Sequence, residues 1–267
     1  MSSPIGFGFK QEWQFFINEH ALFLKKLEHF YETSSKIFIR EFLTTCEADG
    51  VVFYLGRLCL EDFNEILLLC ANGYGFGGMK ILRGLFERAV LAAYVAKHPD
   101  CAEAFMEYDH IYLGETVNGL KDTVDLGRLF SPDKIKEIEE SYEKVEHKFQ
   151  APLCEKCGTT QTQHSWSKLS LASMAARVGM GELYLQCYFD PTMQTHASVS
   201  AITLRMKEDK DGAIIFDSEP QRGKAKLVLM NAHILMVHVL DTQNRYFDLK
   251  LDKDVEERNK DFTAVWG

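Results

Sequence analysis

Residues 79–96, MKILRGLFERAVLAAYVA, decide the fold. Wound at 3.6 residues per turn, this stretch is apolar on nearly every face, and such a helix belongs inside a bundle. Arg83, Glu87 and Arg88 interrupt it. An unpaired charge in an apolar interior costs several kcal/mol, so these groups need partners. Arg83 and Glu87 are four residues apart and share a face, where each can neutralise the other. The expectation is a central buried helix, about 79–97, carrying a largely buried, hydrogen-bonded Arg83–Glu87 pair.

Helical periodicity extends outward from this segment. Trp13, Phe16, His20, Phe23, Leu27 and Phe30 recur at three- and four-residue steps, giving an amphipathic first helix. Ser34 or Ser35 can cap a second, with Ile37, Ile39, Phe42 and Leu43 inside it and Gly50 beyond its end. Residues 51–71 form a third. Proline at position 99 stops the central helix, and Asp100 opens the next. Ser131-Pro132-Asp133 combines a cap, a first-turn proline and an acid near the positive helix end. The charged helix that follows reads as a solvated outer element. Residues 150–163 read as a polar loop, and 169–178 and 181–189 as helices. Asp190-Pro191-Thr192 restarts a helix to about residue 202. A short extended arm near 203–222 contains AIIF (213–216), and 223–247 is a long helix. The fold class is therefore all-α, a multi-helix bundle in a single domain over 1–267. Residues 1–50 pack on a core of 51–248, and 249–267 form a polar tail.

Only 6 prolines, with 46% hydrophobic and 26% charged residues, suit long helices in a soluble globular chain. A net charge of −9 disfavours non-specific nucleic-acid binding, which depends on Lys and Arg neutralising phosphates. The first residues lack the basic and apolar regions of a signal peptide. The most apolar run, 227–240, is broken by Asn231, His233 and His238 and falls short of the ~20 residues that span a bilayer, so no membrane partner is expected. Seven scattered cysteines resemble reduced thiols of a cytoplasmic protein more than a disulfide framework. Homo-oligomerisation stays open.

Several constellations could carry chemistry. The glycines of NGYGFGG (72–78) precede a helix, but no strand comes before them and no Gly-Lys-Ser/Thr follows, so they read as a helix–helix turn. CEKCG places Cys154 and Cys157 at a zinc-knuckle spacing, and His147 or His164 could complete a tetrahedral zinc site. Tyr188, Thr192, His196 and Ser200 fall at successive i+4 steps, a stripe of side chains suited to positioning a polar ligand or relaying a proton. The same stripe could be a satisfied polar core. His233 and His238, five apart, point to different faces and read as core or boundary histidines.

Three segments together, ILRGLFERAVLAAYVA, HSWSKLSLASMAARVG and YFDPTMQTHASVSAI, resemble a bacterial family known as domain of unknown function 5677. The resemblance covers roughly 53–248. It rests on Arg83 and Glu87, on Trp166, on Tyr188 with His196, and on the His-x-Ser step to Ser198. The CEKCG loop departs from that pattern. The resemblance implies an all-helical fold and brings no assigned activity. The layout is distantly similar to the HEPN-type helical ribonucleases of toxin and defence systems, which carry Arg followed four to six residues later by His. No arginine here has a histidine at that spacing.

Two classes of function follow. One is a regulatory or small-ligand-binding module with Arg83, Glu87, Trp166, Tyr188, His196 and Ser198 as its polar centre. The other is an enzyme: a hydrolase or nuclease with Glu87 or His196 as general base or metal ligand and Arg83 holding an anion, or an HEPN-like ribonuclease with a rearranged catalytic set. An arginine beside Glu87 lowers its basicity, which favours the first.

Overall fold

In the computed structural model, the described residues are Phe9, 11–154 (the Cys154 side chain excepted) and 157–267. Eleven α-helices and two small hairpins are found among them, which makes the chain an all-α multi-helix bundle. It divides into two compact units, Met1–Lys97 with Leu171–Gly267, and His98–Ser170.

Three long helices build the centre of the first unit: α3 (Glu47–Ala71), α4 (Gly75–Lys97) and α10 (Arg222–Tyr246). Phe63 and Ile66 from α3, Leu85 and Phe86 from α4, and Leu235 and Leu240 from α10 are fully buried. Each such side chain contributes about 1.5–3 kcal/mol relative to exposure. The central helix expected from the sequence is thus α4. It ends at Lys97, before Pro99, because a residue preceding proline is pushed out of the helical region.

Glycines set how closely these helices meet. A Cβ on Gly75 would lie 2.6 Å from both the Ala225 nitrogen and the Gln221 oxygen, so the first turns of α4 and α10 touch backbone to backbone. Gly78 likewise sits against Val228. Gly56, early in α3, instead faces Gln243, late in α10. Hence α4 and α10 run parallel while α3 opposes both. Gly73, at φ +80°, makes the turn between α3 and α4.

The N-terminal reading needs revision. The first helix breaks at His20 into α1 (Glu12–Glu19) and α2 (Ala21–Phe38). Ser34 lies inside α2 and donates back to the Phe30 carbonyl at 2.9 Å. Residues 39–46 are not helical, and Gly50 lies inside α3. The true start signal is Asp49, whose carboxylate accepts from the Thr45 amide and hydroxyl, both at 2.7 Å, and from the Cys46 amide at 3.2 Å. Tyr246, the last residue of α10, donates to the same carboxylate at 2.9 Å.

Residues 249–267 are largely not a tail. Asp252–Trp266 form α11, which packs on α2 and α10. Its buried face is itself charged: Arg258 and Asp261 pair at 3.1 Å, and Lys26 of α2 reaches Asp261 at 2.6 Å. Trp266 Nε1 donates to His233 Nδ1 at 3.0 Å, fixing His233 as a neutral acceptor. Burial pushes the His233 pKa down to about 4.

The remaining elements of this unit are α7 (Leu171–Arg177), a turn at Gly181–Leu183, a widened π-type turn at Leu185–Phe189, α8 (Asp190–Thr195), α9 (Val199–Thr203) and a hairpin. The hairpin pairs Met206–Glu208 with Ile214–Phe216, the extended arm anticipated near 203–222. Six described cysteines form no disulfide, and burial raises the Cys70 and Cys187 thiols to about 12.

The second unit consists of α5 (Ala102–Leu120), α6 (Pro132–Val145) and a hairpin, Gln150–Cys154 with Thr159–Thr162. The hairpin replaces the expected loop. Its core is Ile111, Val145 and Phe149, and Ser131 caps α6 by accepting from the Lys134 amide at 3.2 Å.

Candidate functional site

Arg83 projects from α4 towards α8. Its Nε donates to Thr192 Oγ1 and its Nη2 to the Tyr188 hydroxyl, each at 3.1 Å. The guanidinium carbon also lies 4.9 Å from the centre of the Tyr188 ring, a cation–π distance. Tyr188 is held by Phe86 and Tyr184, whose ring centres are 6.1 and 5.3 Å away. Local chemistry explains the backbone here. Pro191 has no N–H to continue the ladder, and the turn before it is widened. Thr192 Oγ1 donates to the Tyr188 carbonyl at 2.6 Å, restoring a bond across the discontinuity.

The expected Arg83–Glu87 pair is different in kind. The two side chains are 27% and 42% exposed and approach only to 3.8 Å, too far for a hydrogen bond. Thr192 and Tyr188, rather than Glu87, satisfy the guanidinium. The face of α4 that carries Glu87 is only partly covered, so no burial forces a tight pair. It is Arg88, one position on, that makes the close ion pair, with Asp62 of α3.

His196 does not join the centre. It follows the last residue of α8 with extended backbone (φ −92°, ψ 155°), and its side chain is exposed. The i+4 stripe therefore breaks after Thr192, and Ser200 is exposed as well. Ser198 acts structurally: its hydroxyl accepts from the Ala201 amide at 3.1 Å, capping α9, and donates to the Met193 carbonyl at 2.7 Å. Trp166 belongs to the other unit, where it stands edge-to-face on Phe105 at 5.5 Å.

For the zinc reading, the Cys154 side chain and residues 155–156 lie outside the described residues. Cys157 Sγ lies 2.7 Å from Thr159 Oγ1, and His147 and His164 are exposed. Among the described residues no three His, Cys, Asp or Glu side chains are grouped to hold a metal.

A cleft of about 500 Å³ opens beside the Arg83 centre, bounded by α4, α8, α9 and the Met206–Phe216 hairpin. Lys80, one turn before Arg83 on α4, stands at its edge, and Gln194 of α8 forms part of its wall. Gln194 is 6% exposed, and its Nε2 is buried with no hydrogen-bond partner among the described residues. Arg205 lies with its guanidinium carbon 4.3 Å from the Phe76 ring centre and 5.7 Å from that of Phe216. Neither Lys80 nor Arg205 makes an ion pair with a described carboxylate. Asp217, directly after the hairpin, is held by Lys207 at 2.9 Å. Lys207 and the Glu219 amide, with a smaller effect from Arg205, keep its carboxyl below the usual range.

Sequence reasoning missed Lys80, Gln194 and Arg205. Thr192 was on the legible stripe. Gln194 had no local signal, and Arg205 only its proximity to the aromatic at 216.

No curated protein and no solved structure matches this chain. The sequence pattern that defines a family of unknown function (DUF5677) matches residues 49–214, more than half of the 267, and the chain belongs to that family.

Proposed function

We propose that this chain is a regulatory module that binds a small polar ligand in the cleft between α4, α8, α9 and the hairpin. The observation that carries the reading is Gln194, which lines the cleft and whose buried Nε2 has no hydrogen-bond partner among the described residues. A stranded buried donor costs about 1–3 kcal/mol, a penalty that a ligand acceptor reaching it would remove. The cleft volume falls within the range of small-molecule sites. Among the described residues its lining offers no carboxylate, imidazole or thiol for acid–base or nucleophilic work, and the Ser198 hydroxyl is committed to its cap. Binding, rather than turnover, fits that composition. The Arg83–Tyr188–Thr192 knot would hold α8, and with it Gln194, in register with α4.

No observation favours the nuclease reading. His196 makes no hydrogen bond or ion pair to Arg83 or Glu87 among the described residues, and Glu87 is half exposed on α4.

A thermal-shift panel of anionic, neutral and cationic small molecules tests the proposal on the native chain and on Gln194→Leu. A ligand at a hundred times its Kd adds about 2.7 kcal/mol, a rise of roughly 5–10 °C for a protein of this size. At least one chemical class should raise Tm in the native chain and not in Gln194→Leu. Equal shifts in both proteins, or none in either, would refute the reading.

A further inference from the structure

We infer that the ligand of this cleft is an amphipathic anion: a carboxylate or phosphate head on an apolar body of aliphatic or aromatic carbon. The inference rests on the cleft being the ligand site and names the chemistry that the site selects.

The polar part of the lining is one-sided. Apart from the Ser198 hydroxyl, committed to its cap, and the Gln194 carbonyl oxygen, its polar side-chain groups are donors: the Lys80 ammonium, the Arg205 guanidinium and the unused N–H of Gln194. A complementary ligand must therefore present acceptors, and two cations without ion-paired carboxylates ask for negative charge. This does not follow from overall electrostatics, because the chain as a whole carries −9. The guanidinium of Arg205 is set in advance by its stacking on Phe76 and Phe216, so little side-chain freedom is lost when it engages an anion.

The rest of the lining is apolar and strongly exposed. Val199 is 76% exposed, Ile202 58% and Phe216 63%, all of them around the same cleft. Grouped large apolar side chains on a protein surface mark a binding region. A small inorganic anion would answer the cations and leave these three wet. A purely apolar molecule would cover them and leave Lys80, Arg205 and Gln194 unanswered. Only a ligand with both parts fits both halves of the lining.

The test is isothermal titration calorimetry of the full chain with five probes: octanoate, octyl phosphate, octanol, octylammonium and inorganic phosphate. Gln194→Leu and Arg205→Gln are titrated in parallel, with circular dichroism confirming that both variants are folded. Octanoate or octyl phosphate should bind one to one, at least tenfold tighter than octanol or inorganic phosphate, with octylammonium weakest. Preference between the two anions identifies the head as carboxylate or phosphate. Arg205→Gln should weaken the preferred anion by at least tenfold. If octanol or octylammonium binds as tightly as the anions and Gln194→Leu abolishes it, the anion inference fails while the cleft remains a ligand site. If no probe binds, or if both variants bind every probe like the native chain, the inference and the functional reading fail together.

Discussion

Replacing Gly56 by alanine tests the close meeting of α3 and α10 that fixes the bundle. In an ordinary helix interior the change would be favourable, because alanine exceeds glycine in helix propensity by about 1 kcal/mol. Here the new Cβ would fall 2.3 Å from Gln243 Nε2 and 3.2 Å from the Phe38 ring. Gln243 has no room to yield: it is completely buried, and that Nε2 donates to the Val52 carbonyl at 2.6 Å. Its Oε1 already lacks a partner among the described residues. Losing the remaining bond costs about 1–3 kcal/mol, and overpacking against Phe38 another 1–3 kcal/mol. Mid-range values, less the propensity gain, leave a net loss of about 3 kcal/mol. Gly223 is the matched control, since it lies in the same unit and a Cβ there meets nothing within 4 Å. Gly223→Ala should gain a few tenths of a kcal/mol. With a urea slope of about 3 kcal/mol per molar, Gly56→Ala should lower the midpoint by about 1 M in a titration followed by circular dichroism. A Gly56→Ala midpoint at or above the native one would refute the packing argument.

Three further outcomes are expected. Glu87→Ala should change stability by less than about 0.5 kcal/mol, because its contact with Arg83 is long and half exposed, whereas Arg83→Met should cost about 2 kcal/mol through its bonds to Thr192 and Tyr188; denaturant melts of the two variants compare them directly. Asp49→Ala should cost about 1–2 kcal/mol as a lost cap. Burial pushes the Asp49 carboxyl up, but bonds from Thr45, Tyr246 and Cys46 outweigh it and hold the group below its ordinary value. Its contribution is therefore complete above about pH 4 and fades as pH falls towards the folded-state value, so the Tm gap between variant and native chain should narrow in acid. His233 has the opposite chemistry but the same direction. The unfolded imidazole protonates near 6.5 and the buried one only near 4, so stability is complete above that upper value and falls by roughly 3 kcal/mol on the way to the lower. His233→Phe should flatten this part of the Tm–pH curve, and an unchanged slope would assign the titration elsewhere.

The parts of the fold legible in the sequence are those decided locally. The apolar winding of α4 and α10, the proline after α4 and the Ser131 cap each carry their signal within a few residues. Helix α11 carried little, because beside Val255 its buried face is Arg258 and Asp261, a pair neutralised by a lysine more than two hundred residues away on α2. The break at His20 was hidden by apolar spacing that continues on both sides of it. At the site, the four-residue step from Tyr188 to Thr192 was real, but the step to His196 depended on the helix continuing, and α8 stops at Thr195. Whether Glu87 is buried depends on what covers its face of α4, a tertiary fact. The Gln194 donor is notable only because nothing among the described residues reaches it.

The parallel run of α4 and α10 also has a consequence for how the protein is made. Parallel neighbours cannot be joined by a tight turn, so the chain between Lys97 and Arg222 is one long crossover. On the ribosome, at about 5–20 residues per second, roughly ten seconds separate the emergence of α4 from that of its partner. Throughout that interval the face of α4 that meets α10 at Gly75 and Gly78 has water where α10 belongs. A nascent chain in this state is a two-helix hairpin with an open apolar wall, the kind of species that chaperones retain and neighbouring copies capture. The same holds for any fragment cut at the 49–214 limits of the family match, because it omits the helix that closes the wall.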